Sequence, residues 1–337
     1  MKKAVVVDKN YGSVSLDKLN TLRIEFAKND IDLALEHFTS QEEIIEGCAD
    51  AQAILGTGNP PITAKVINSL GRLELVQRFG IGVNSIDLKA ATDAGVLAMF
   101  MPNFCVDELA AHAASLILAL NRNTAYYDRH IRAGEWPKAK YFQPRNLKGL
   151  TLGLYGFGGS ARPLYKIMHD GFGMRVAVCD PFVDGDVRRR YDASFMDFER
   201  MLSTSDIISI HAPLNDKTKG IFNSAAFRMM KNDAMLINIA RGGLIDEAAL
   251  IDALHSGEIR FAGLDVFEKE PVDENNPLLK MDNVVLTCHS AFYGDTSQQT
   301  QLRLAFELVN KALNARRVDA KYVANKGVVS SKGILIA

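Results

Sequence analysis

The chain has 337 residues, 47% of them hydrophobic and 23% charged, with a formal net charge of −1. At roughly 150 residues per domain this makes two globular domains with ample core. The near-neutral balance offers no electrostatic hold on nucleic acid or an anionic membrane, and no apolar run approaches the ~20 residues that span a bilayer.

The N-terminal Met-Lys-Lys-Ala-Val-Val-Val-Asp reads as a first buried strand, residues 4–8, rather than a signal peptide. A helical pattern follows from about Ser15 to Asn29. Ala53–Gly56 is a short strand, and the turn Asn59-Pro60-Pro61 opens a helix that runs to about Leu70 and stops at Gly71. Strand 73–78 runs into the glycine-spaced loop Phe79-Gly80-Ile81-Gly82-Val83-Asn84, then a helix to about Gly95 and a strand over 96–100. Such alternation indicates βαβ units and a parallel sheet.

Met101-Pro102-Asn103 breaks the pattern, and the longest helical run of the chain follows, from Val106 to about Ala133. Its first half is apolar on most faces, which calls for burial on more than one side. A dimer interface and burial between two domains of one chain both satisfy that demand.

Leu150–Tyr155 is a strand leading directly into Gly156-Phe-Gly158-Gly159-Ser160-Ala161, with a helix to about Asp170 behind it. This is the Gly-x-Gly-x-x-Ala form of the dinucleotide fingerprint. Gly156 allows the tight turn, Gly158 the approach of a pyrophosphate, and Ala161 close helix–strand packing, while the helix N-terminus offers free N–H groups. The next strand, 175–179, ends in Asp180, 19 residues beyond Ala161. An acid there accepts from ribose hydroxyls and repels a 2′-phosphate, so NAD is the expected cofactor.

Further βα units follow: helix 195–203 and strand 207–210, helix 223–230 and strand 234–239, helix 246–256 and strand 261–264, then strand 284–287. A final helix from about Thr296 to Ala315 leads into a Gly/Ser-containing tail. Ligands of an open doubly wound sheet bind beyond the carboxyl ends of its strands. The polar residues there are Asp180, His211, Arg241, Asp265 and His289, with Glu270 close behind Asp265. Singly, Arg241 can cap a turn, Glu270 can be a solvated acid and His289 a core histidine. Gathered on one rim they have a chemical use: Arg binds a carboxylate, His exchanges a hydroxyl proton, and Glu orients and stabilises the imidazole.

Five ordered motifs extend this picture: Arg78-Phe-Gly80-Ile-Gly82-Val-Asn-Ser-Ile-Asp87, the glycine fingerprint, Asn238-Ile-Ala240-Arg241-Gly242-Gly243-Leu-Ile-Asp246-Glu247, Gly263-Leu-Asp265-Val-Phe-Glu-Lys-Glu270-Pro271, and Leu286-Thr-Cys-His289. With them the chain resembles the D-isomer-specific 2-hydroxyacid dehydrogenases through nearly its whole length. Cys105-Val-Asp-Glu108 and His289-Ser-Ala-Phe-Tyr293 look most like the branch that includes the C-terminal-binding protein corepressors.

The resemblance implies an α/β fold of two Rossmann-like lobes with parallel sheets. The NAD-binding lobe (101–291) would be inserted into a flavodoxin-like substrate-binding lobe (1–100 plus 292–337), with the active site in the cleft. It assigns catalysis to Arg241, Glu270 and His289. The cofactor would meet Gly156, Gly158, Gly159 and Ser160 at the pyrophosphate, Asp180 at the ribose, and His211 and Pro213 on the adenine side. Ile239, Ala240, Arg241, Asp265 and His289 would border the nicotinamide. A 2-keto or 2-hydroxy acid would be held by the loop Gly80, Ile81, Gly82 and Val83 together with Arg241, His289 and Phe292. A homodimer through helix 106–133 is also implied.

Cys288 stands where the family usually has Pro, Ala161 where the third Gly would be, and Asn84-Ser85 where Asp-Asn is usual. The four cysteines (Cys48, Cys105, Cys179, Cys288) show no disulfide or zinc spacing, which suits a cytoplasmic protein without a structural metal. Tyr322-Val-Ala-Asn-Lys326 fits the Tyr-x-x-x-Lys pattern of short-chain dehydrogenases but lies far beyond the glycine loop and reads as coincidence. The expected function is NAD-dependent interconversion of a D-2-hydroxy acid and its 2-keto acid. An NAD(H)-sensing binding protein that oligomerises on dinucleotide binding is the alternative.

Overall fold

The computed structural model describes residues 1–8, 14–137, 142–330 and 332–337. They form two compact units: Met1–Phe104 with Tyr293–Ala337, and Cys105–Phe292.

In the first unit the strands are β1 (Lys2–Val6), β2 (Ile31–Leu35), β3 (Ala53–Gly56), β4 (Leu75–Arg78) and β5 (Leu97–Met99), joined by helices α1 (Leu16–Ala27), α2 (Gln41–Gly47), α3 (Ala64–Ser69) and α4 (Leu88–Asp93). The order is β2-β1-β3-β4-β5 with every pair parallel. Because helices cover both faces, the strands read as apolar runs rather than alternations; β3 is buried at all four positions.

The second unit opens with α5 (Val106–Asn121) and α6 (Thr124–Arg132). Its strands are β6 (Thr151–Tyr155), β7 (Arg175–Cys179), β8 (Ser194–Phe195), β9 (Ile207–Ile210), β10 (Met235–Asn238), β11 (Phe261–Leu264) and β12 (Val284–Leu286). Between them run α7 (Ala161–Tyr165, continued by a wider π turn over Lys166–Gly171), α8 (Gly185–Arg189), α9 (Phe198–Thr204), α10 (Ser224–Met229) and α11 (Glu247–Ser256). The order β12-β11-β10-β9-β6-β7-β8 reverses direction between β6 and β9, the switch point at which such sheets bind ligands. Leu152, Leu154, Val178 and Ile237 pack one face of the sheet, and Ile208, Ile210, Leu236 and Phe227 the other. The chain then returns to the first unit with α12 (Asp295–Asn310) and a short parallel pair, β13 (Arg317–Val318) and β14 (Leu335–Ile336).

Two helix expectations are corrected. The helix expected over 106–133 is two helices, because Asn123 turns left-handed (φ 55°) and donates Nδ2 to the Phe142 carbonyl at 2.9 Å. Asn121 likewise exchanges two hydrogen bonds with the Arg145 backbone. The helix expected from 195 starts at Phe198, since Asp197 accepts from the Arg200 amide at 2.8 Å as its N-cap while Phe195 pairs in β8. The helices α2 and α8 are too short to show a period, and β2, an edge strand interrupted by Asp32, lacks the continuous apolar run of its neighbours. The Tyr322–Lys326 stretch is a structural strap: Asn325 is buried and bonds the Ala98 amide and the Val96 carbonyl, and Lys326 caps the Ala320 carbonyl.

Candidate active site

The glycine turn lies at the end of β6. Gly156 has φ +91°, and a Cβ on it would stand 2.9 Å from the Ala212 nitrogen and the His211 carbonyl carbon, so only glycine fits. At Gly158 an added Cβ meets nothing of the protein within 4 Å. The protein itself does not require a glycine there, as expected where a ligand's phosphates approach the backbone. Ala161 is fully buried against the sheet. These features fit a dinucleotide pyrophosphate.

Asp180 accepts from the Phe157 amide at 2.8 Å and the Phe182 amide at 2.9 Å, which hold its half-buried carboxylate at the strand end. Lone pairs remain for ribose hydroxyls. His211 is clasped by Ser160 Oγ at Nδ1 and Ser209 Oγ at Nε2, both at 2.9 Å. Burial pushes its imidazole down to about 3, so it is neutral and orients Ser160 without charge. Pro213 and Gly159 are exposed.

Beyond β10, buried Asn238 accepts from the Ala240 amide at 3.0 Å and donates to the Arg241 carbonyl at 2.9 Å. Ile239 turns its side chain into the core, which leaves its backbone at the rim. Gly242 is pressed onto the next crossing, where a Cβ would stand 1.9 Å from the Phe267 carbonyl carbon. That contact brings the Arg241 loop to the segment carrying Glu270. Glu270 takes the Phe267 amide on Oε1 at 3.0 Å and His289 Nδ1 on Oε2 at 2.6 Å.

Burial would raise the Glu270 carboxyl, but the His289 and Phe267 hydrogen bonds and the charges of His289 and Arg241 outweigh it and hold it below the usual carboxylate range. Burial lowers Arg241 from its ordinary value, opposed by Glu270 and Cys105. The three expected catalytic side chains are thus assembled on one rim of the second unit. Phe292 stands edge-on to His289, ring centroids 6.4 Å apart. Cys105 is buried and its thiol pushed up to about 12 by that burial, whereas Cys288 is exposed.

Asp265, expected at the nicotinamide, has another task. It is 1% exposed, and its carboxylate accepts from Thr287 Oγ1 (2.6 Å) and the amides of Ser290 and Ala291 (both 2.9 Å). It organises the loop that bears His289. Asn238, Thr287 and His112 take part in the site's framework and were not singled out from sequence. Asn238 stood inside a quoted motif, but nothing in the pattern marked a polar residue as buried.

In the first unit, Arg78 donates Nε to the Gly82 carbonyl (2.9 Å) and Nη1 to the Phe79 carbonyl (3.0 Å). Gly80 has φ +151°. With two carbonyls drawn toward the guanidinium, the loop Gly80, Ile81, Gly82 and Val83 has amides to offer an anion. Among the described residues no group of three His, Cys, Asp or Glu is placed to hold a metal, and no helix is long and apolar enough to cross a membrane.

A seven-stranded parallel sheet with a glycine turn and an acid beside its switch point defines a dinucleotide-binding α/β protein. Residues 114–291 match the NAD-binding domain of D-isomer-specific 2-hydroxyacid dehydrogenases. The chain is 34% identical over 287 residues (85% of its length) to D-3-phosphoglycerate dehydrogenase of Archaeoglobus fulgidus, of which it covers 54%. It is 33% identical over 298 residues to hydroxypyruvate reductase of Thermotoga maritima, with 88% of this chain and 94% of that one aligned. A glyoxylate reductase structure from Paecilomyes thermophila superposes with a TM-score of 0.82 at 26% identity, covering 93% of this chain and 95% of that one. The chain belongs to the D-isomer-specific 2-hydroxyacid dehydrogenase family, and the domain matched is the one that binds NAD. It spans about half the length of the phosphoglycerate dehydrogenases it matches. These relatives lend nothing to the narrower corepressor-like branch.

Proposed function

We propose that this protein is an NAD-dependent 2-ketoacid reductase that forms the D-2-hydroxy acid, or runs the reverse oxidation. The observation that carries the reading is the 2.6 Å contact between an ionised Glu270 and His289 Nδ1, within the field of Arg241. When bound, NADH supplies the hydride. The chain's residues do the rest. Arg241 holds the substrate carboxylate and carbonyl. Glu270 accepts a hydrogen bond from His289 Nδ1–H, which stays on the ring and fixes the imidazole so that Nε2 is the atom that gives a proton to the carbonyl oxygen.

The second unit takes the NAD-binding role, with Gly156, Gly158, Gly159 and Ser160 at the pyrophosphate, Asp180 at the ribose, His211 and Pro213 on the adenine side, and Ile239 to Arg241 by the nicotinamide. The first unit takes the substrate-binding role, and its Gly80–Val83 amides form a carboxylate-holding loop. Phe292 beside His289 gives an apolar wall that suits a 2-ketoacid with a bulkier side chain. A homodimer through α5 and α6 is part of the proposal; Ile131 is exposed on α6, and Trp136 is exposed just past its end. A cytoplasmic location suits four free cysteines, one of them exposed.

A panel of glyoxylate, hydroxypyruvate, pyruvate and longer 2-ketoacids with NADH and NADPH tests the reading. Turnover with NADH, lost by ~100-fold or more in His289→Ala and Arg241→Ala, is expected. Wild-type turnover in either variant sinks the mechanism.

A further inference from the structure

We infer that His112, outside the Arg241–Glu270–His289 set, is a positioning residue that holds His289 in place through Thr287 and Asp265. The inference rests on the reductase reading above, and every residue in it belongs to the second unit.

His112 stands on α5 among Leu109, Ala113 and Leu116, a surface otherwise committed to packing. Its Nε2 is 2.9 Å from Thr287 Oγ1, which is in turn 2.6 Å from Asp265 Oδ1. A threonine has one hydroxyl hydrogen, and a carboxylate can only accept. The hydroxyl hydrogen therefore goes to Asp265, Thr287 Oγ1 meets His112 as an acceptor, and His112 Nε2 must carry a hydrogen. The same Nε2 lies 3.5 Å from Asp265 Oδ1, so its N–H also stands near the buried carboxylate.

Asp265 converts that support into loop geometry. Its own carbonyl accepts from the His289 amide at 2.7 Å, and its carboxylate accepts from the next two amides, Ser290 and Ala291. Three consecutive amides are thus tied to one residue. They span the position where His289 adopts φ +53°, a left-handed conformation that a non-glycine residue keeps only when its surroundings impose it. Without the His112 hydrogen bond, the Thr287 hydroxyl loses its outer partner and the Asp265 carboxylate a nearby donor. The frame loosens, and the 2.6 Å His289–Glu270 contact loosens with it. The glycine turn and Asp180 have no hydrogen bond to any of these groups, so cofactor binding is left intact.

The test compares His112→Leu, His112→Gln (whose side-chain amide can again donate to Thr287) and Thr287→Val. In His112→Leu, kcat for 2-ketoacid reduction should fall ~10- to 100-fold, while the NADH Kd stays within about twofold. His112→Gln should recover most of that loss. The His112→Leu/Thr287→Val pair should be no worse than the poorer single variant, because both cut one chain of contacts. Wild-type kcat in His112→Leu, a Gln variant as poor as Leu, or additive losses would each overturn the inference.

A readout free of turnover separates this from the reductase reading. In long-range 1H–15N spectra of the histidines, His112 should be protonated at Nε2. The His289 signals should move in His112→Leu and stay in place in His112→Gln. A His112 protonated at Nδ1 alone, or His289 signals unmoved in His112→Leu, overturns the positioning role. If no 2-ketoacid is reduced, the reductase reading fails and these spectra still decide the inference.

Discussion

Glu270 shows how one residue's environment sets its chemistry. Burial alone would favour its neutral form, yet the amide of Phe267, His289 and Arg241 keep it charged. Replacing it with Gln removes the charged acceptor that holds His289 Nδ1 at 2.6 Å. Glu270→Gln should therefore lower kcat for reduction by ~100-fold, as steady-state kinetics with NADH will show. Gly242 acts differently, through the absence of a side chain. A Cβ 1.9 Å from the Phe267 carbonyl carbon and oxygen must push two backbone segments apart. Gly242→Ala should lose ~1–3 kcal/mol of stability, read from urea unfolding. It should also cost ~100-fold in kcat/KM, because Arg241 is displaced from Glu270. Arg241 and His289 stood out in the sequence as candidates because they sit just past strand ends, and Glu270 because it follows Asp265 closely. The role of Asp265 was not, since nothing local says whether a carboxylate at a strand end faces a ligand or its own loop.

At the scale of the element, the break between α5 and α6 is the clearest case of tertiary contacts overriding a helical pattern. Residues 106–133 carry continuous helical character, but Asn121 and Asn123 are both buried and spend their amides on the backbone of 142–145. Asn123→Val puts a β-branched residue at φ 55° and removes the bond to the Phe142 carbonyl. It should destabilise the fold by about 2–3 kcal/mol. Asn123→Gly keeps the conformation and should lose about 1 kcal/mol; equal losses in the two variants by urea titration would argue against this account. Strands were easier to place than helices. Each interior strand is a short apolar run closed by a turn, whereas the seven-residue α2 and five-residue α8 hold too few residues to show a period.

For the whole molecule, the mutual support of charges beneath the second sheet sets its response to acid. Burial would raise Asp206, but the Thr151 amide, Arg145 and Lys231 hold it below the ordinary value. A carboxyl depressed in the folded state contributes its full stability above the unfolded pKa, ~3.9, and loses it as pH falls through the folded one. Asp206→Asn should therefore cost roughly 1–3 kcal/mol at pH 7 and progressively less as pH falls below 4, so that the melting curves of variant and wild type converge. From the sequence alone come the α/β class, the parallel alternation, the dinucleotide turn with its acid at Asp180, and the family, because each is written in local spacing or in an ordered set of motifs. Which polar residues support the reacting ones was decided by the fold. His112, Thr287 and Asp265 are separated by up to 175 positions, and only the packing of α5 and two strand ends around one buried carboxylate makes them neighbours.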